Sequence, residues 1–266
     1  MEFSNHRKSY FKFLFINKSS ILFLYFYQNA SAQIVNVENK RKTLQDTSGI
    51  FGIVDFGFNL VENGSTIISF RSGAQIEWRK EKNLWLSSTD FNLVRVQDND
   101  FVNNGFQHLR YNYDFDPRWT YEAFGQAQFN EKTRVQLRAL LGTGLRLLLA
   151  KKKKSKAYFG AAYMFEYNEI ADTSIIHRDQ RLSSYLSFTW QALDNLSFSG
   201  TSYFQPLWKD FGNARLSSLT TMQLKITDKL AFKTTFQITF DGQLKRDAPG
   251  TPATIYSFVN GLRWEF

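Results

Sequence analysis

The chain contains no cysteine, and that one absence removes disulfide scaffolds, thiol nucleophiles and thiolate metal sites together. Histidine is nearly as scarce: beyond His6 there are only His108 and His177, too far apart in the chain to form a ligand cluster. No apolar run is long enough to cross a bilayer as a helix; the most compact, 21–27 (ILFLYFY), falls well short. An apolar content of 43% sits slightly below the soluble norm, which excludes a bundle of membrane helices.

The net charge of +9 suggests a nucleic-acid surface until it is partitioned. Arg7, Lys8, Lys12 and Lys18 against Glu2 take three of those charges into residues 1–32 and leave +6 for 33–266. Lys151, Lys152, Lys153, Lys154 and Lys156 supply five of the six. The rest of the chain is near neutral and has no phosphate-tracking face, so no nucleic-acid partner is expected. The lysine stretch reads as a solvated turn.

Aromatic residues are abundant at 17%. Phe, Tyr and Trp favour strands and membrane interfaces. Residues 1–32 have the layout of a secretory signal peptide: scattered cations, the apolar run 21–27, and small residues at Ala30 and Ala32 that place cleavage before Gln33. A polar periplasmic leader is expected over 33–48, and a barrel domain over 49–266.

From residue 49 onward, alternating segments of roughly ten to fifteen residues recur between turn signals. They fall at 50–61, 66–78, 83–97, 106–115, 118–129, 134–149, 157–168, 180–191, 196–205, 214–226, 230–240 and 254–266. The even count suits a bacterial barrel. The sixth segment shows the two faces well. Val135, Leu137, Ala139, Leu141, Leu145, Leu147 and Leu149 lie on one side, and Arg134, Gln136, Arg138, Gly142, Gly144 and Arg146 on the other. Arginine facing lipid at mid-membrane costs roughly 2–4 kcal/mol, so the arginine face must be the lumen. The expected fold is all-β: a transmembrane antiparallel up-and-down β-barrel of about twelve strands.

Connection lengths support an outer-membrane setting. With a periplasmic amino terminus, the gaps after even strands are all short, while those after odd strands include the long ones 98–105, 169–179, 206–213 and 241–253. Trp78, Trp85, Trp119, Trp190 and Trp264 fall at strand ends on the short-gap side, as one half of an aromatic girdle. The last segment carries Tyr256, Phe258, Leu262, Trp264 and Phe266 on one alternating face and ends the given sequence on an aromatic. It is expected to act as the signal read by the barrel assembly machinery and to close the barrel against the first strand.

The segments 109–115 (LRYNYDF) running into Arg118 and Trp119, 141–146 (LGTGLR) and 158–163 (YFGAAY) resemble the outer-membrane barrel family known as domain of unknown function 481, often labelled salt-induced outer membrane proteins. The resemblance covers most of 49–266. It implies location and fold, and carries over no catalytic residue or cofactor.

The candidate chemistry lies inside. Arg71, Arg110, Arg134, Arg138, Arg146, Arg181, Arg215, Lys225, Lys233 and Arg263 are expected to share the lumen with Asp55, Glu77, Asp90, Asp114, Glu122, Glu166 and Glu265. One reading is a narrow, weakly anion-preferring channel for small solutes; the other is a lumen closed by interlocking ion pairs. An outer-membrane lipid hydrolase is the rival from a different class. It needs a serine beside a histidine on the lipid face, and neither His108 nor His177 has a serine two residues away on its own strand face. The expectation is therefore a non-enzymatic envelope barrel whose partners are outer-membrane lipids, assembly machinery and small solutes.

Overall fold

The structure, a computed structural model, describes residues 48–62, 64–97 and 99–264. The expected signal peptide with Ala30 and Ala32, the leader up to residue 47, and the terminal Phe266 lie outside the described residues.

Twelve antiparallel strands follow one another in space as they do in sequence. They are β1 (Gly49–Glu62), β2 (Thr66–Lys80), β3 (Asn83–Val96), β4 (Asn99–Asp114), β5 (Trp119–Asn130) and β6 (Val135–Lys152), then β7 (Ser155–Ile170), β8 (Ile176–Leu193), β9 (Leu196–Leu207), β10 (Asp210–Lys225), β11 (Leu230–Asp241) and β12 (Thr254–Trp264). This is the order of an up-and-down barrel. Every neighbouring pair from β1–β2 to β11–β12 forms a ladder; a β12–β1 ladder, expected to close the sheet, is not among the pairings of the described residues.

Alternation and register fix the two faces. Phe124 on β5 lies opposite Gly142 on β6, Gly142 opposite Met164 on β7, and Met164 opposite Arg181 on β8. These residues point inward. The intervening Leu141, Leu145, Phe165 and Leu186 point outward and are exposed. Large apolar residues outside and buried arginines inside form a soluble protein turned inside out, the arrangement of a transmembrane barrel. Trp78, Trp85, Trp119 and Trp190 are all exposed near strand ends on one side of the sheet.

Two expectations, one about connections and one about a strand face, are corrected. Residues 98–105, 169–179 and 206–213 were expected to be long loops, but most of them continue the strands: β4 begins at Asn99, β8 at Ile176 and β10 at Asp210. Their polar composition reads as loop, yet paired hairpin arms that rise beyond the bilayer need no lipid-facing apolar stripe. Only 242–253 remains a long connection, and it contains the short helix α1 (Gly242–Asp247). Val135, expected on the lipid face, is instead buried inside. A register shift between Val135 and Leu137 turns it inward while leaving Leu137 outside, the re-aiming expected of a β-bulge.

Candidate functional site

Five charged side chains from five strands meet inside the barrel, near the end that carries α1. Glu166 on β7 accepts from Arg181 Nε on β8 at 2.8 Å, from Arg215 on β10, and lies 3.4 Å from Arg138 Nε on β6. Asp241, at the end of β11, lies 2.6 Å from Arg215 Nε and 3.7 Å from Arg138 Nη2 as an ion pair with both. All five side chains are essentially without solvent contact. Asp179 supplies a third carboxylate, 3.6 Å from Arg181 Nη2. Three guanidiniums thus face three carboxylates, and the cluster is neutral. Such balance is needed, because an unmatched charge in so dry a place costs several kcal/mol.

Helix α1 seals this cluster. Asp241 caps it, its Oδ1 accepting from Leu244 N at 3.0 Å, so one carboxylate holds both the helix and the arginines. Gln243 Oε1 accepts from Arg181 Nη2 at 2.6 Å, and its Nε2 donates to Asp179 at 3.4 Å. Leu244 and Ala248 pack on Val135 and Ile170, with Ile175 at the edge. His177 Nε2 meets Asp247 Oδ2 at 2.8 Å and ties the last turn of the helix to β8. The inward turn of Val135 is thereby explained: it forms the apolar seat on which α1 rests.

Deeper in the lumen, Tyr185 on β8 donates to Glu122 at 2.8 Å, and Arg110 approaches the same carboxylate at 3.8 Å. Arg110 Nε donates to His108 Nε2 at 3.3 Å, so His108 must carry its proton on Nδ1, which donates to Gln126 at 2.9 Å. A cavity of about 40 Å³ remains among His108, Arg110, Glu122, Tyr185, Tyr203 and Gln205, with room for roughly one to three waters. Gly160 permits this packing, since a side-chain carbon added there would fall 2.1 Å from the Tyr185 ring.

The opposite side of the lumen is less covered. Asp55 on β1, Arg71 on β2, and Lys233 on β11 face inward by register and are exposed. Carbon added at Gly57 or Gly261, also inward, meets nothing within 4 Å.

Of the arginines expected in the lumen, Arg110, Arg138, Arg181 and Arg215 are buried there with Glu122 and Glu166. Arg71 faces inward but stands apart from the cluster. Arg146 lies towards the other end, its guanidinium 3.8 Å from the centre of the Tyr158 ring. Arg134 does not line the lumen: it adopts a left-handed conformation after the 3-10 turn Glu131–Thr133, where its Nη2 donates to Ala171 O at 3.3 Å and pairs with Asp172 at 3.6 Å. The sequence reading missed Asp179, Asp241 and Gln243, because it placed all three in loops. Asp241 had a usable signal, since Asp followed by a helix-favouring run (QLKR) is a cap signature. Tyr256, Phe258 and Leu262 are exposed on the outer face of β12, and Trp264 stands opposite Leu230 in register. His108 lies across from Ser88 in register, both inside and buried.

Comparison with known proteins places a family profile, "Protein of unknown function, DUF481", on residues 54–252. No curated protein matches the chain. Among solved structures, a NanC porin is similar at TM-score 0.47 and 13% identity, over 74% of this chain and 94% of that one. A bacterial polysaccharide outer membrane secretin is similar at TM-score 0.43 and 10% identity, over 84% of this chain and 87% of that one.

Proposed function

The chain belongs to the DUF481 family of proteins of unknown function, and from that premise we propose that it is an outer-membrane β-barrel of the bacterial envelope with a narrow, off-centre path for small solutes. The observation that carries this reading is the asymmetry of the lumen. Arg138, Arg181 and Arg215 are dry on one side, whereas Asp55, Arg71 and Lys233 are exposed on the other. The neutral buried cluster contributes no charge selectivity. On the bodies of β1, β2, β10 and β11 the exposed inward charges are Arg71 and Lys233 against Asp55, which supports a weak preference for anions. A lipid hydrolase needs its serine and histidine at the lipid face; the inward, buried setting of His108 and Ser88 favours the channel.

The test is conductance in planar bilayers. Small, weakly anion-preferring currents are expected, and Gly57→Trp and Gly261→Trp should reduce them because each ring projects into the uncovered side. Silence of the wild type at every voltage and salt overturns the channel and leaves a closed barrel. The location is tested separately by gel mobility of outer-membrane fractions before and after boiling; a band confined to the soluble fraction contradicts the membrane setting. The exposed aromatic face of β12 supports recognition by barrel assembly machinery. Deleting Phe266 should lower the assembled amount, and unchanged outer-membrane levels refute that role.

A further inference from the structure

The lysine-rich hairpin at the short-turn end is mostly paired strand. β6 runs to Lys152 and β7 starts at Ser155, so only Lys153 and Lys154 form the turn. Lys154 Nζ meets Asp194 at 2.7 Å, and its carbonyl accepts from Gln191 N at 2.8 Å. A register shift between Leu148 and Ala150 re-aims the residues that follow. Counted by alternation from the inward Arg146, Lys152 would face the lumen. Past the shift it pairs instead with Ser155, and Ser155 pairs with the outward Trp190. Lys152, Ser155 and Trp190 therefore form one outward row, in which Lys152 and Trp190 are exposed.

Towards the middle of the barrel the next outward row is Ala150, Ala157 and Phe188, and the one after it is Leu147, Phe159 and Leu186. Phe159, Leu186 and Phe188 are exposed. Indole settles at the headgroup level, which sets these two deeper rows in the acyl region. Lys152 and Lys153 then stand among headgroups, where a lysine extends its ammonium outwards. The charge of the hairpin is one-sided. Lys151 and Lys156 lie directly opposite each other on the inner face, a like-charge pair that is destabilising unless anions approach. Among the described residues, only Lys154 of the five lysines meets a carboxylate.

We propose that this surface binds an anionic phospholipid of the periplasmic leaflet. Its phosphate meets Lys152 and Lys153 beside Trp190, and its acyl chains lie against Phe159, Leu186 and Phe188 over the low floor at Ala150 and Ala157. The order of groups along the strands selects this occupant. Cations and indole followed by exposed apolar rows match an anionic headgroup followed by acyl chains, whereas a water-soluble acidic partner leaves the apolar rows unused. The inference rests on the proposed outer-membrane setting, with the short turns on the periplasmic side.

The experiment is native mass spectrometry of the detergent-purified full chain, with phosphatidylglycerol and phosphatidylethanolamine of matched acyl chains as probes and glycerol phosphate as soluble competitor. The wild type should retain phosphatidylglycerol in preference to phosphatidylethanolamine, and excess glycerol phosphate should not displace it. Lys152→Ser with Lys153→Ser should weaken that retention about thirtyfold, as loss of two cations beside an anionic headgroup does. Lys132→Ser with Lys209→Ser, the same charge change at the α1 end, should leave it intact. Ala157→Phe fills the floor, keeps every lysine and should weaken it as well. Equal retention of the two lipids, displacement by glycerol phosphate, unchanged retention in the Lys152/Lys153 variant, or equal loss in the Lys132/Lys209 variant overturns the site. Heat-dependent gel mobility of the same samples, together with their membrane fractionation, reports the folded barrel and its setting separately, so failure of the site and failure of the outer-membrane reading are distinguishable.

Discussion

Replacing Glu166 by glutamine removes one negative charge from the driest place in the molecule and almost no volume. Glu166 is approached by Arg138, Arg181 and Arg215. In the variant, Asp241 alone must serve Arg138 and Arg215, and Asp179, partly open to solvent, must serve Arg181. Breaking one partner of a buried pair costs about 3–5 kcal/mol, because the remaining charge is left uncompensated. The glutamine oxygen still accepts one hydrogen bond, so the lower end applies and about 3 kcal/mol is expected. With a urea slope of about 1–3 kcal/mol per molar, the unfolding midpoint of the barrel in lipid vesicles should fall by roughly 1–3 M. Tryptophan emission is a suitable signal, because Trp78, Trp85, Trp119 and Trp190 are exposed on the outer face. A midpoint within a few tenths of a molar of wild type would refute the idea that this cluster holds β6, β7, β8 and β10 together.

Helix α1 gives a second prediction: Leu244→Ala deletes a buried side chain on the Val135–Ile170 seat and should cost about 2–5 kcal/mol of docking. Faster amide exchange over 242–253 together with larger currents is expected, and unchanged exchange would show that α1 does not depend on this contact. Gly160→Ala drives a methyl group into the Tyr185 ring, which Glu122 holds in place. Overpacking of this kind costs about 1–3 kcal/mol, so a variant as stable as wild type to urea would contradict the packing. In the lysine-rich turn, Lys154 donates to Asp194 at 2.7 Å and holds its carboxyl below the usual carboxylate range. A depressed folded value means that the pair's small contribution is present above the ordinary carboxylate pKa and fades as pH falls through the depressed one. Asp194→Asn should therefore lower the unfolding midpoint slightly at neutral pH and not at strongly acid pH; a pH-independent difference would refute the pairing.

The strands were legible because their signal is redundant. A two-residue period repeats over a dozen segments, and a buried arginine and an exposed leucine an odd number of positions apart leave one choice of face, as Arg138 and Leu141 do. Strand ends were less legible. Beyond the bilayer the outer face no longer needs grease, so 99–105 and 176–179 lose their alternating signal while keeping their ladders, and in 210–213 the ladder itself is interrupted between Asp210 and Ala214. Polar hairpin arms and polar loops have the same composition, and only pairing distinguishes them.

The buried cluster was half legible for a related reason. Alternation sends Arg138, Glu166, Arg181 and Arg215 inward, but it says nothing about their heights, and height decides which of them meet. Strand stagger brings Arg138, early in β6, level with Glu166, late in β7, while Arg146 in the same strand is carried to the far end beside Tyr158. Nor does alternation reveal that the chain past β11 folds back inside, although charge balance would have required it. Arg138, Arg181 and Arg215 cannot be buried against Glu166 alone, and the further carboxylates at their height come from segments read as loops. Asp241 and Asp179 meet that need, and Asp241 does so while capping α1. Neutrality of the cluster therefore depends on where α1 begins: move its first residue, and Arg215 loses the partner that makes its burial tolerable.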